Sequence, residues 1–197
     1  MELIDHIGIF RDMLSEKDCE EYINYFEEVV NSNIGHSFND EENSEIQNGI
    51  EQFPEGIYGR SDRSLFINRI NRTLTEKCYD TLEKCYEQYA LEYPELKRMN
   101  LMTFDVKVQR TEPGGGYHRW HCENSAPHHS HRILVWMIYL NDIPPGEGET
   151  EFFTQRLRIQ PERGTVVIWP STYTHVHRGN LVHTTPKYIA TGWFVLV

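Results

Sequence analysis

Gly114-Gly115-Gly116-Tyr117-His118-Arg119-Trp120-His121-Cys122-Glu123 is followed, after a polar loop, by Val135-Trp136-Met137-Ile138-Tyr139-Leu140-Asn141-Asp142. The three glycines make a flexible turn, and the β-branched and aromatic run after the loop reads as a strand. His121 and Glu123 stand two residues apart, so on an extended chain both side chains project from one face. Another histidine, His177, lies in Tyr173-Thr174-His175-Val176-His177-Arg178-Gly179, just past the apolar run Val166-Val167-Ile168.

The rest of the chain after Asn100 follows the same pattern. Candidate strands are Thr103 to Gln109, Ile133 to Leu140, Glu151 to Phe153, Arg156 to Ile159, Thr165 to Trp169 and Lys187 to Val197. Short strands joined by Gly and Pro turns, with no long helical stripe between them, predict a jelly roll, a cupin-like double-stranded β-helix. The front half has helical periodicity instead. Ser15 and Asp18 read as an N-cap and acidic first turn ahead of Cys19, Tyr22, Ile23, Phe26, Val29 and Val30. A second stripe runs through Ile67, Ile70, Leu74, Cys78, Leu82, Cys85 and Tyr89 and stops at Pro94. Asn31 to Gly59 is polar and reads as a loop. The expected class is α+β, with the N-terminal helices packed on one sheet. The chain is expected to form one domain over residues 1–197, in which 1–100 is mainly helical support and 101–197 the catalytic core.

Two imidazoles and a carboxylate occupy one face of an octahedron and leave the opposite positions open, the arrangement of non-haem iron(II) oxygenases. His121, Glu123 and His177 are therefore the candidate metal-binding and catalytic residues. His175 is the alternative to His177, since an extended segment puts both on one face.

Taken in order, these motifs resemble the 2-oxoglutarate and iron(II)-dependent dioxygenases, in their prolyl 4-hydroxylase-like branch. The elements are the Gly-rich turn, a His-x-carboxylate pair, Tyr139-Leu140-Asn141, Gly146-Glu147-Gly148-Glu149-Thr150-Glu151-Phe152, a distal histidine and a basic residue about ten positions later. The resemblance covers Leu101 to Val197 strongly and the helical half more loosely. One departure is that the carboxylate is Glu123 where the family has aspartate. The basic anchor corresponds to Lys187, ten residues after His177, which favours His177 over His175. The resemblance implies Fe(II) as cofactor and 2-oxoglutarate and O2 as cosubstrates, with ascorbate as a supporting reductant. Lys187, Thr191 and Tyr139 would receive the far carboxylate of 2-oxoglutarate, with Gln109 or Thr111 where relatives carry another tyrosine. It also implies hydroxylation of a C–H bond, with a prolyl residue of a peptide or protein favoured as substrate, and production of succinate and CO2. A free amino acid or other small molecule is the alternative substrate. A cupin-like metal protein that does not use 2-oxoglutarate is the alternative class, followed by a catalytically silent binding domain.

Composition narrows the partners. Thirty acidic against nineteen basic residues give a net charge of −11 without a basic cluster, which argues against nucleic acid. No apolar run is long enough to span a bilayer and no basic leader precedes one, so a soluble cytoplasmic protein is expected. Cys19, Cys78, Cys85 and Cys122 lack paired close spacing and imply no disulfides. A Gly-x-Ser-x-Gly hydrolase turn is missing. His128, His129 and His131 form a polar cluster without a fourth spaced ligand and read as surface residues. His118, Trp120 and Arg132 are candidates for the pocket mouth, whereas Trp169 and Trp193 are read as core. Oligomeric state is not readable.

Overall fold

The computed structural model describes residues 1–32, 45–47, 50–52 and 60–197. Their elements in chain order are β1 (Glu2–Ile4), β2 (Ile7–Phe10), α1 (Glu16–Ser32), β3 (Glu45–Gln47), β4 (Ile50–Gln52), β5 (Arg60–Ser61) and β6 (Arg63–Phe66). Then come α2 (Arg72–Glu92), β7 (Leu101–Met102), β8 (Lys107–Thr111), β9 (Gly116–Tyr117), β10 (Arg132–Tyr139) and β11 (Thr150–Phe152). The last are β12 (Leu157–Ile159), β13 (Val166–Pro170), β14 (His177–Gly179) and β15 (Lys187–Leu196).

The main sheet runs β1-β2-β13-β10-β15-β8-β6-β4-β3, with β7 against the end of β15; a smaller sheet runs β12-β11-β14. The pairings are antiparallel. On β10 and β13 alternate residues serve different layers. Leu134, Trp136, Ile138, Val166 and Ile168 pack toward the helices, while Val135, Tyr139, Val167 and Trp169 pack with Phe152 and Ile159 of the smaller sheet. Burial on both faces explains why these strands read as nearly unbroken apolar runs. The two facing sheets form the double-stranded β-helix.

Helix α1 starts where Asp18 N donates to Ser15 Oγ at 3.1 Å, and it buries Cys19, Tyr22, Phe26 and Val29 at helical spacing. Phe26 packs edge-on against Tyr188 of β15 at 6.2 Å. Beside it, Glu27 accepts two bonds from Arg110 Nη1 at 2.7 and 2.8 Å and one from Tyr188 Oη at 2.8 Å. This carboxylate fastens α1 to β8 and β15. Phe26→Ala is expected to cost about 3–5 kcal/mol, since the packed helix cannot collapse into the space; urea unfolding reads it as a lower midpoint at unchanged slope.

The second stripe is shorter than expected. Helix α2 begins at Arg72, because Asn71 caps it by accepting from Leu74 N at 3.0 Å. Ile67 lies before the helix and gives its N–H to Val106 O. Residues 1–100 also contribute strands that sequence periodicity did not indicate. The short pair β1 and β2 extends the main sheet beside β13, and β6 extends it beside β8. Of the segment read as a loop, 45–47 and 50–52 form the β3–β4 pair; the rest of 33–59 lies outside the described residues.

Gly192 on β15 stands where a side chain has no room: an added Cβ would meet Trp136 Cζ2 at 2.5 Å and the Asp105 carbonyl oxygen even more closely. Gly192→Ala is expected to destabilise by about 1–3 kcal/mol through overpacking, measurable as a lowered thermal midpoint.

Candidate active site

His121, Glu123 and His177 come together at the mouth of the space between the sheets, their ligand atoms within 4.8 Å of one another. The local route differs from the extended strand expected. His121 makes an isolated antiparallel bridge with His177, with N–H to carbonyl distances of 3.0 and 2.9 Å, and Glu123 opens the following turn. Pairing with β14, rather than strand periodicity, brings the three side chains to one point.

Both imidazoles have defined tautomers. His121 Nδ1 lies 2.9 Å from the Arg119 carbonyl and His177 Nδ1 lies 2.9 Å from the His175 carbonyl. A carbonyl only accepts, so each Nδ1 carries the hydrogen and each Nε2 presents a lone pair. Glu123 Oε1 lies 3.2 Å from His121 Nε2 and 3.7 Å from His177 Nε2. Burial raises the Glu123 carboxyl, but the hydrogen bonds and charge that His121 and His177 offer when protonated at Nε2 outweigh it and hold the group well below the usual carboxylate range. Burial pushes His177 down, against the pull of Glu123. Two imidazole nitrogens and one carboxylate oxygen suit iron(II). Among the described residues no second group of metal-holding side chains is found, His128 and His129 included.

His175 does not join the group. It is 3 % exposed and faces away, with Nε2 donating to the Asp5 carbonyl at 2.9 Å and Nδ1 accepting from Thr174 Oγ1 at 2.9 Å.

Behind the triad is a cavity of about 810 Å³ whose lining includes Gln109, Thr111, Thr150, Lys187 and Thr191. Lys187, Thr191 and Trp193 share its face of β15, while Tyr188 and Phe194 turn to the helices. Lys187 is buried and donates to the Gly148 carbonyl at 2.6 Å; among the described residues it makes no ion pair. Burial lowers its pKa to about 8, with Glu149 opposing. Gly148 has φ +67°, a backbone conformation that suits glycine, and this turn aims its carbonyl at the ammonium. Glu147 anchors the approach to β15 by accepting from Thr184 Oγ1 at 2.5 Å and from the backbone N–H groups of His183 and Thr184.

Tyr139 is placed differently from the expectation. Its hydroxyl donates to Thr150 Oγ1 at 2.7 Å and its ring lies 5.3 Å from Lys187 Nζ; Thr150, not Tyr139, lines the cavity. Gln109 Nε2 donates to Asp62 at 3.2 Å, and Thr191 Oγ1 donates to the Trp136 carbonyl at 2.8 Å. At the mouth, Trp120 lies under the Arg178 guanidinium at 4.4 Å, and His118 turns to the Gly179 carbonyl at 3.2 Å.

Two tryptophans read as core line the cavity. Trp169 packs edge-on against His177 at 5.0 Å, and its buried Nε1 has no hydrogen-bond partner. A buried N–H without an acceptor is costly. The buried ammonium of Lys187 on the cavity wall makes the chamber suit a carboxylate ligand. Sequence offered no signal for Trp169, because a tryptophan at a strand end is usually packing.

Fold and triad point to one class: residues 106–195, the stretch that carries His121, Glu123, His177 and Lys187, match the family described as the 2OG-Fe(II) oxygenase superfamily. The fold is similar to that of solved prolyl hydroxylases. The viral collagen prolyl hydroxylase of Paramecium Bursaria Chlorella virus-1, solved as a 2OG complex, superposes with a TM-score of 0.70 at 19% identity, covering 98% of this chain and 97% of that one. A Pseudomonas putida prolyl-4-hydroxylase gives 0.68 at 17% identity, covering 98% and 93%. A Trichoplax adhaerens prolyl hydroxylase, in complex with a hypoxia inducible factor oxygen degradation domain peptide, gives 0.69 at 15%, covering 97% and 84%. Among curated proteins no sequence matches. No helix of the described residues is long and apolar enough to cross a membrane.

Proposed function

We propose that the protein hydroxylates a C–H bond of a prolyl residue in a peptide or protein, using 2-oxoglutarate and O2 at iron(II) and releasing succinate and CO2. The supporting observation is the convergence of His121 Nε2, His177 Nε2 and Glu123 Oε1 at one end of a cavity that also holds the buried ammonium of Lys187. Bound there, iron(II) supplies the oxidising chemistry that the side chains lack. His121, Glu123 and His177 would hold it, with both Nδ1–H groups pinned so that neither ring turns away.

The other residues bind, orient and shield. Lys187 neutralises the far carboxylate of 2-oxoglutarate, and Thr150, Gln109 and Thr191 complete the polar wall of the chamber. Phe152, Trp169 and Tyr117 enclose the two imidazoles and keep bulk water from them. Tyr117 stacks on His121 at 4.0 Å and borders the open side, where a prolyl ring would lie. The fold shared with the prolyl hydroxylases supports a peptide substrate.

The test is anaerobic reconstitution with iron(II) and 2-oxoglutarate, followed by O2 and ascorbate, with proline-containing peptides and free amino acids as separate additions. The expected results are a weak visible charge-transfer band before O2, then succinate and a one-oxygen mass gain on a peptide proline. Mass gain on a free amino acid alone would move the substrate class to small molecules. Absence of both the band and succinate would overturn the oxygenase reading in favour of a cupin-like metal protein.

A further inference from the structure

The two oxygens of Glu123 have different surroundings. Oε1 faces the imidazoles, whereas Oε2 accepts from Trp193 Nε1 at 3.0 Å and from Arg132 Nη1 at 3.3 Å. The same arginine nitrogen reaches the Glu123 backbone carbonyl at 3.2 Å, and its guanidinium carbon lies 3.6 Å over the Trp193 ring. The backbones are tied as well. Glu123 N donates to the Ser171 carbonyl at 2.9 Å, and Ser171 Oγ donates to the Arg132 carbonyl at 2.5 Å. Arg132 and Glu123 side chains are only 15% and 16% exposed, so water competes weakly for these bonds.

We infer that Trp193 and Arg132 are positioning residues that make Glu123 a one-oxygen metal ligand, and that this pair lets a glutamate serve where the family has aspartate. The inference rests on the metal-site reading above. A carboxylate binds a cation through one oxygen or through both. Glutamate has one more rotatable bond than aspartate and is freer to turn its second oxygen inward. That oxygen would take up a coordination position which the cosubstrates need. Donors from the indole and the guanidinium hold Oε2 on the far side, and the Arg132 charge stacked on Trp193 holds the indole in turn. An aspartate on the same backbone ends one C–C bond shorter, about 1.5 Å, and does not keep the Trp193 contact at its present length.

The test uses the full chain as wild type, Trp193→Phe, Glu123→Asp and the double variant, with Co(II) alone as probe and 2-oxoglutarate added afterwards. Calorimetry gives the Co(II) Kd, and the intensity of the cobalt visible bands reports coordination number. Trp193→Phe is expected to weaken Co(II) roughly tenfold or more and to shift the bands toward higher coordination before 2-oxoglutarate is added. In the Glu123→Asp background the same substitution should have little effect, because the shorter side chain no longer reaches the indole. Arg132→Lys should retain more affinity than Arg132→Met. An equal loss in both backgrounds, or unchanged bands and affinity in Trp193→Phe, would overturn the inference and leave Trp193 a packing residue. If Trp193→Phe fails to fold, Arg132→Met carries the same comparison. Co(II) binding by none of the proteins would overturn the metal-site reading itself. Metal binding without coupling overturns the positioning role alone.

Discussion

His177→Ala is expected to abolish iron-dependent succinate formation and to weaken metal binding by more than about 100-fold, beyond the loss typical of a supporting partner. The substitution removes one of two imidazole donors while leaving the backbone bridge between positions 121 and 177 in place. His175→Ala is the informative control, because it is two residues away and equally buried. Its ring links Asp5 to Thr174, so its loss should cost about 1–3 kcal/mol of stability while metal affinity stays near wild type. Calorimetric metal titration and thermal melts on the two variants separate the effects. Activity lost in His175→Ala but kept in His177→Ala would reverse the assignment of the distal ligand.

Lys187→Ala is expected to raise the Kd for 2-oxoglutarate by roughly 10²- to 10⁴-fold, corresponding to the ~3–5 kcal/mol lost when one partner of a buried ion pair is removed. The pH dependence has a definite sign. With burial lowering the ammonium to about 8, affinity should be flat below that pH and fall about tenfold per unit above it, as the neutral amine cannot pair with the carboxylate. Lys187→Arg keeps its proton and should flatten that decline even if its longer reach weakens binding overall. For folding of the ligand-free chain the sign is opposite. Between about 8 and the ordinary value of 10.5 the unfolded lysine holds the proton that the folded one has lost, so stability rises with pH over that window. A Kd that ignores both the substitution and the pH would remove Lys187 from the ligand site.

Much of the catalytic half could be read from residues alone. Val135 to Leu140 and Val166 to Trp169 are long β-branched and aromatic runs, and the two-residue alternation of β15 separates cavity residues from helix-facing ones in strand and sequence alike. The pairing of β1 with β2 and of β2 with β13 was not legible, because strands of three and four residues carry too few periods to count. The long-range contacts of single side chains were hidden as well. Tyr139 was expected to receive the 2-oxoglutarate carboxylate, but its hydroxyl is taken by Thr150, eleven residues on, a pairing set by the meeting of two sheets. Trp169 and Trp193 were indistinguishable from core tryptophans by type and neighbours. What sets them apart is that one indole N–H lacks an acceptor and the other meets Glu123.

Glu27 fastens α1 to the outer face of the two strands whose inner face carries Gln109 and Lys187. Adjacent residues Tyr188 and Lys187 therefore put the helix contact and the proposed 2-oxoglutarate anchor on either side of a single peptide unit. By mass action, a ligand that requires the docked arrangement raises the melting temperature in proportion to the logarithm of its concentration. A surface change such as Glu27→Gln, with no ligand contact, should then appear as reduced thermal protection by 2-oxoglutarate, making the helix layer a remote control on cosubstrate retention.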